Sequence, residues 1–115
     1  MPMFRILLAV AGMLCATVLS AAATEDWVKL SDSQILSALS GRALDFGDAV
    51  QTFLPSGRTS FDAGSISWGY WRVEQGRYCS QWPPADLWTC YTVESNDGGI
   101  RFVGADGSLS EGRYR

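Results

Sequence analysis

Two cysteines, Cys79 and Cys90, and a scatter of carboxylates are the side chains with which this sequence could do chemistry. The sequence contains no histidine. That removes Ser-His-Asp and Cys-His nucleophile arrangements, and every zinc site built on imidazole. Cys79 and Cys90 are too far apart for a Cys-x-x-Cys redox pair and too few for a metal-ligand set. They read as a disulfide, which leaves neither as a nucleophile. A closed loop of this length stabilises a small domain by ~3 kcal/mol in the chain-entropy model.

The carboxylates keep one enzymatic route open, because glycoside cleavage needs only two acids at the right separation. Asp45, Asp48, Asp62, Asp86, Glu94, Asp97, Asp106 and Glu111 are the residues from which such a pair would come. Most of them fall at predicted turns, where Asp serves as a turn former. Calcium binding through Asp97 or Asp106 lacks a spaced acidic ligand loop. No Gly-x-Gly-x-x-Gly follows a strand and no Gly-x-x-x-x-Gly-Lys-Ser/Thr occurs, so no nucleotide and no other cofactor is implied.

Residues 1–23 form a block of their own. Arg5 precedes an apolar run from Ile6 to Ser20, and the small residues Ala21-Ala22-Ala23 follow. This three-part layout predicts a secretory signal cleaved after Ala23. The run is short of the ~20 residues that a membrane span needs, and Thr24-Glu25-Asp26 offers no basic stop-transfer cluster. Cys15 follows Leu14, a poor fit to a lipid-attachment site, and belongs to the apolar run. The domain to be explained is therefore 24–115, with no membrane span after cleavage, in a periplasmic or secreted setting. The formal net charge is −3 and there is no basic run, which argues against nucleic acid as a partner.

The elements that must position any site begin with a helix. Ser31 can cap it, Gln34 can return the bond in a capping box, and Leu30 and Ile35 can staple the start. Ile35, Leu36 and Leu39 follow at helical spacing, and Gly41 ends the run. From Arg42 onward the pattern becomes short strands and turns. Strands are expected at 49–54, 58–62, 66–73, 78–82, 87–94, 100–103 and 109–114. Turns fall at Pro55-Ser56-Gly57, Glu74–Arg77, Pro83–Asp86, Asn96–Gly99 and Ala105–Gly107. The fold class is mainly β: an antiparallel meander of six to eight short strands, a sandwich or partial barrel, with the N-terminal helix packed at one end or over an open edge.

A tight turn at 74–77 pairs Tyr70 with Gln81, and a direct Cys79–Cys90 bridge sets the register of the next hairpin. One face then holds Gly69, Trp71, Val73, Tyr78, Ser80, Trp82, Leu87, Thr89, Tyr91 and Val93. It is the more apolar and is the expected core. The other face holds Trp68, Tyr70, Arg72, Cys79, Gln81, Trp88, Cys90, Thr92 and Glu94. Trp68, Tyr70, Arg72, Gln81 and Trp88 make the candidate binding surface, since exposed aromatic rings among polar groups mark contact sites. The competing reading packs those rings over the disulfide and beneath the helix or the termini.

The run Ser67-Trp68-Gly69-Tyr70-Trp71-Arg72-Val73-Glu74, then Gly76-Arg77-Tyr78-Cys79-Ser80-Gln81-Trp82, then Cys90-Tyr91-x-Val93 resembles a group of small exported bacterial proteins. The shared pattern is Gly-x-Trp-x-Val, a short turn, Cys-x-x-Trp, then Cys-Tyr-x-Val. A capped helix and a Phe-x-Pro-x-Gly turn, here Phe53–Gly57, precede it. The resemblance implies an uncharacterised periplasmic domain. Some members carry the label dihydrodipicolinate reductase, which would need a nucleotide-binding βαβ unit that this chain has neither the room nor the motif for.

These observations favour a non-enzymatic domain that binds an envelope ligand or protein. An inhibitor acting on a hydrolase through the loop 82–88, preorganised by Pro83, Pro84 and the disulfide, is the alternative. A carboxylate hydrolase is the third reading.

Overall fold

The computed structural model describes Gly12 and residues 26–115. The predicted signal segment 1–23 and its cleavage site otherwise lie outside the described residues. The described residues form nine strands and one helix: β1 Val28–Lys29, α1 Asp32–Leu39, β2 Arg42–Asp45, β3 Val50–Phe53, β4 Arg58–Asp62, β5 Ile66–Glu74, β6 Arg77–Gln81, β7 Thr89–Asn96, β8 Gly99–Val103 and β9 Leu109–Tyr114. All pairings are antiparallel.

Strands β2 to β9 each pair with the next in sequence, and β9 returns to β2 through Leu44–Tyr114 and Asp45–Arg113. The meander is thus a closed eight-stranded barrel, a geometry whose interior is wide enough for side chains or one small ligand. β1 is an extra strand laid beside the C-terminal half of β7, at Val28–Ser95 and Lys29–Glu94.

The two hairpins read from sequence have the expected register. Tyr70 faces Gln81, and Cys79 faces Cys90. Gln75 and Gly76 turn the first with positive φ at both residues, 52° and 74°, as a two-residue primed hairpin requires. The cysteines form a disulfide with their Cα atoms 4.0 Å apart. That is nearer the spacing of a non-hydrogen-bonded pair than of a hydrogen-bonded one.

Two expectations need correction. β7 begins at Thr89, so Leu87 and Trp88 belong to a loop, and Leu87 is 78% exposed instead of in the core. Pro83 and Pro84 lack the amide donors that a continuing ladder needs. Thr89 is exposed as well. Leu36, grouped with the buried side of the helix, points outward.

The helix closes one end of the barrel. Ile35 and Leu39 are fully buried with Leu30, Leu44, Phe53, Trp71, Val93 and Ile100. Ser31 N–H donates to Gln34 Oε1 at 2.9 Å, one arm of the expected capping box. The Gly76 amide donates to Asp32 Oδ1 at 2.5 Å, and the Tyr114 hydroxyl to the Ala38 carbonyl at 2.9 Å. Both bonds lock the helix to barrel loops and to the last strand. A helix this short needs such docking.

Candidate functional site

The end of the barrel away from the helix is open. Four connections surround it: 46–49, 63–65, 82–88 and 104–108. Between them lies a cavity of about 680 Å³, within the range of small-molecule sites. Its walls are the rings of Phe46, Phe61, Trp82, Tyr91 and Phe102. Gln51, Tyr78 and Ser80 form a polar floor, and Asp48, Ser67, Trp68, Pro83 and Ser110 the rim.

Strand alternation explains why these residues meet. Gln51 and Phe53 on β3, Thr59 and Phe61 on β4, Ser67, Gly69 and Trp71 on β5, and Tyr78 and Ser80 on β6 all turn inward. Trp71 and Phe53 lie toward the helix and fill the closed half. Their rings meet edge to face, with centroids 5.6 Å apart. Toward the mouth, Phe61 and Trp82 meet edge to face at 6.1 Å. Gly69 makes room for this wall: a Cβ there would lie 2.6 Å from the Gln81 carbonyl oxygen and 2.7 Å from the Trp82 ring. Gly112 does the same opposite, where a Cβ would lie 3.1 Å from the Phe46 ring and from Leu44 Cβ.

The floor is a directed hydrogen-bond chain. The Thr59 hydroxyl donates to the Thr52 carbonyl at 2.8 Å, so its oxygen is left to accept. Gln51 Nε2 donates to that oxygen at 3.1 Å and to the Tyr78 hydroxyl at 2.9 Å. Trp82 Nε1 donates to Ser80 Oγ at 3.2 Å. With both amide hydrogens committed, Gln51 Oε1 remains as an acceptor without a partner among the described residues. No side-chain oxygen or nitrogen of the described residues is both sealed from solvent and unpartnered, so Oε1 opens into the cavity. Burial pushes the Tyr78 hydroxyl up to about 12, against the lowering effect of its bonds to Ser80 and Gln51. Tyr78 is therefore a neutral donor at ordinary pH.

Of the residues singled out in the sequence, Trp68 reaches the rim of the cavity, and Tyr70, Arg72, Gln81 and Trp88 stand on the outside of the same wall. Trp68 and Tyr70 are 48% and 41% exposed. The Arg58 guanidinium lies over both rings, at 5.2 and 5.1 Å from their centroids. Arg72 stacks on Trp88 at 4.0 Å and pairs with Glu74 at 3.2 Å. Gln81, opposite Tyr70, donates to the Asp86 carbonyl at 2.7 Å and ties down the 82–88 loop. The helix does not cover these rings, since α1 packs at the barrel end.

Three of the carboxylates are turn formers. Asp45, Asp62 and Asp106 each accept an amide two residues on, from Gly47, Gly64 and Ser108. That bond holds the Asp106 carboxyl below the usual carboxylate range. Glu94 pairs with Arg101 at 2.7 Å. Among the described residues, Glu74, Cys79 and Cys90 are close enough to share a metal ion, but the two sulfurs are bound to each other.

Sequence reasoning missed the cavity. Phe46, Gln51, Phe61 and Phe102 were not grouped, although Gln51 and Phe53 alternate on one strand face, as do Thr59 and Phe61. The chain matches no family model, no curated protein and no solved structure. Among the described residues no helix is long and apolar enough to cross a membrane.

Proposed function

We propose that this chain is an exported binding domain that holds a small, largely apolar molecule in the open end of its barrel. The cavity carries this reading: five aromatic rings around a polar floor of Gln51, Tyr78 and Ser80. Ligand sites of this kind bury an apolar body and fix its orientation with a few polar groups. The disulfide fits an oxidising compartment, and the resemblance to exported bacterial domains points to the periplasm.

The test is fluorescence of the neutral dye Nile red added to the purified protein, with a blocked variant beside it. Ser67→Trp places a ring across the rim from an exposed position. Dye binding should fall at least about ten-fold while the thermal midpoint stays put. Undiminished binding to Ser67→Trp, or no binding to the parent, overturns the reading.

The outer face offers a second reading, a platform for a sugar or peptide, favoured by the exposure of Trp68 and Tyr70.

A further inference from the structure

The open end of this barrel is rich in carboxylates and its connections carry no cation. At the open end, Asp48, Asp86 and Asp106 lie in three of the four connections, and Asp45 and Asp62 end the strands leading into them. None of the connections 46–49, 63–65, 82–88 and 104–108 contains Lys or Arg. Arg42, Arg58 and Arg77 begin strands at the other end. Asp48 is the one charged residue that lines the cavity itself.

Two further features point the same way. The walls are aromatic rings, whose π-faces attract a cation but not an anion. The floor presents Gln51 Oε1, an acceptor on a side chain that is only 6% exposed, suited to an N–H donor. An anion entering this mouth meets several carboxylates and no basic residue among those lining the cavity, so its desolvation would be poorly repaid.

We infer that the cavity selects organic monocations: molecules with an aromatic or other planar apolar body and a protonated amine. This inference rests on the cavity reading above. The ring system packs among Phe61, Trp82, Tyr91 and Phe102. The ammonium is held at the mouth by Asp48 and by the field of its acidic neighbours, and ring N–H groups can reach Gln51. The acidic mouth also concentrates cations before they enter.

Three probes of one shape test it by calorimetry on the disulfide-bonded protein: tryptamine (a cation), tryptophol (neutral) and indole-3-propionate (an anion). Tryptamine should bind about ten-fold more tightly than tryptophol, with indole-3-propionate weakest. Raising the salt from about 0.1 M to about 1 M should narrow that gap, because the carboxylates at the mouth are solvent-exposed. The double variant Asp48→Asn/Asp86→Asn should bring the ratio of the tryptamine and tryptophol constants close to one. Asp48 and Asp86 are chosen because neither side chain holds a turn. Equal binding of the three probes, or tightest binding of the anion, overturns the cation inference and leaves the cavity reading standing. The same holds if the double variant keeps the parent's ratio. Failure of all three to bind overturns both.

Discussion

Gln51 and Tyr78 are joined across the barrel by a 2.9 Å hydrogen bond, although β4 and β5 separate their strands around the wall. The bond fixes the distance between opposite walls just above the sealed half of the core. Gln51→Ala leaves the Tyr78 hydroxyl and the Thr59 oxygen without this donor, a loss of about 1–3 kcal/mol. The thermal midpoint should fall by about 4 °C or more for a domain of this size. An unchanged midpoint would show that cavity water replaces the amide without cost.

Alkaline stability should depend on Tyr78. Its hydroxyl titrates near 10 in the unfolded chain and near about 12 in the folded one. The folded state thus keeps a proton that the unfolded state releases. The stabilisation is complete below pH 10 and is lost as the pH climbs toward 12, about 2–3 kcal/mol in all. Urea unfolding of the parent and of Tyr78→Phe, compared at neutral pH and near pH 12, reads this directly. The parent should lose more stability than the variant over that interval. Parallel loss in both proteins would place the alkaline transition elsewhere.

Gly69→Ala should damage the mouth more than the core. The added methyl meets the Trp82 ring and the Gln81 carbonyl oxygen closer than carbon atoms tolerate. The ring is the freer of the two and should swing out of the wall, breaking its contact with Phe61. Nile red binding should weaken several-fold, and Trp82 emission should shift to the red. A variant with parent-like emission and dye affinity would show that the backbone yields instead.

Removing the outer rings should cost little. Trp68→Ala and Trp88→Ala each delete one cation–π contact of about 0.5–1 kcal/mol at an exposed site. Thermal midpoints within about 8 °C of the parent are expected. Unfolding of either variant would make these rings structural and remove the outer-face platform as a reading.

The strand register around the disulfide was legible because two local signals agreed: the turn at 74–77 and the pairing of Cys79 with Cys90. Closure into a barrel was not. It rests on β2 meeting β9, a contact between residues far apart in sequence that spans only two residue pairs. β2 itself offers one buried apolar residue, Leu44, too little for a periodic pattern. The outer candidates Trp68, Tyr70, Arg72, Gln81 and Trp88 could be assembled from strand alternation alone. The cavity could not, because its aromatic walls come from five different segments and it exists only once the sheet curls. Gly69 and Gly112 were the available hints, since a strand-interior glycine marks a close approach. Neither says what approaches.

The docking of α1 against one end makes the barrel a cup, not a tube. For the guest proposed above, entry and exit would share a single path past the acidic rim and the loop held by Gln81 and Asp86. A second molecule cannot push the first out from behind, so exchange is strictly sequential. Residence time becomes a property of the rim alone: changes at Ser67, Pro83 or Ser110 would alter how fast a guest comes and goes, while the floor residues decide which guest is preferred.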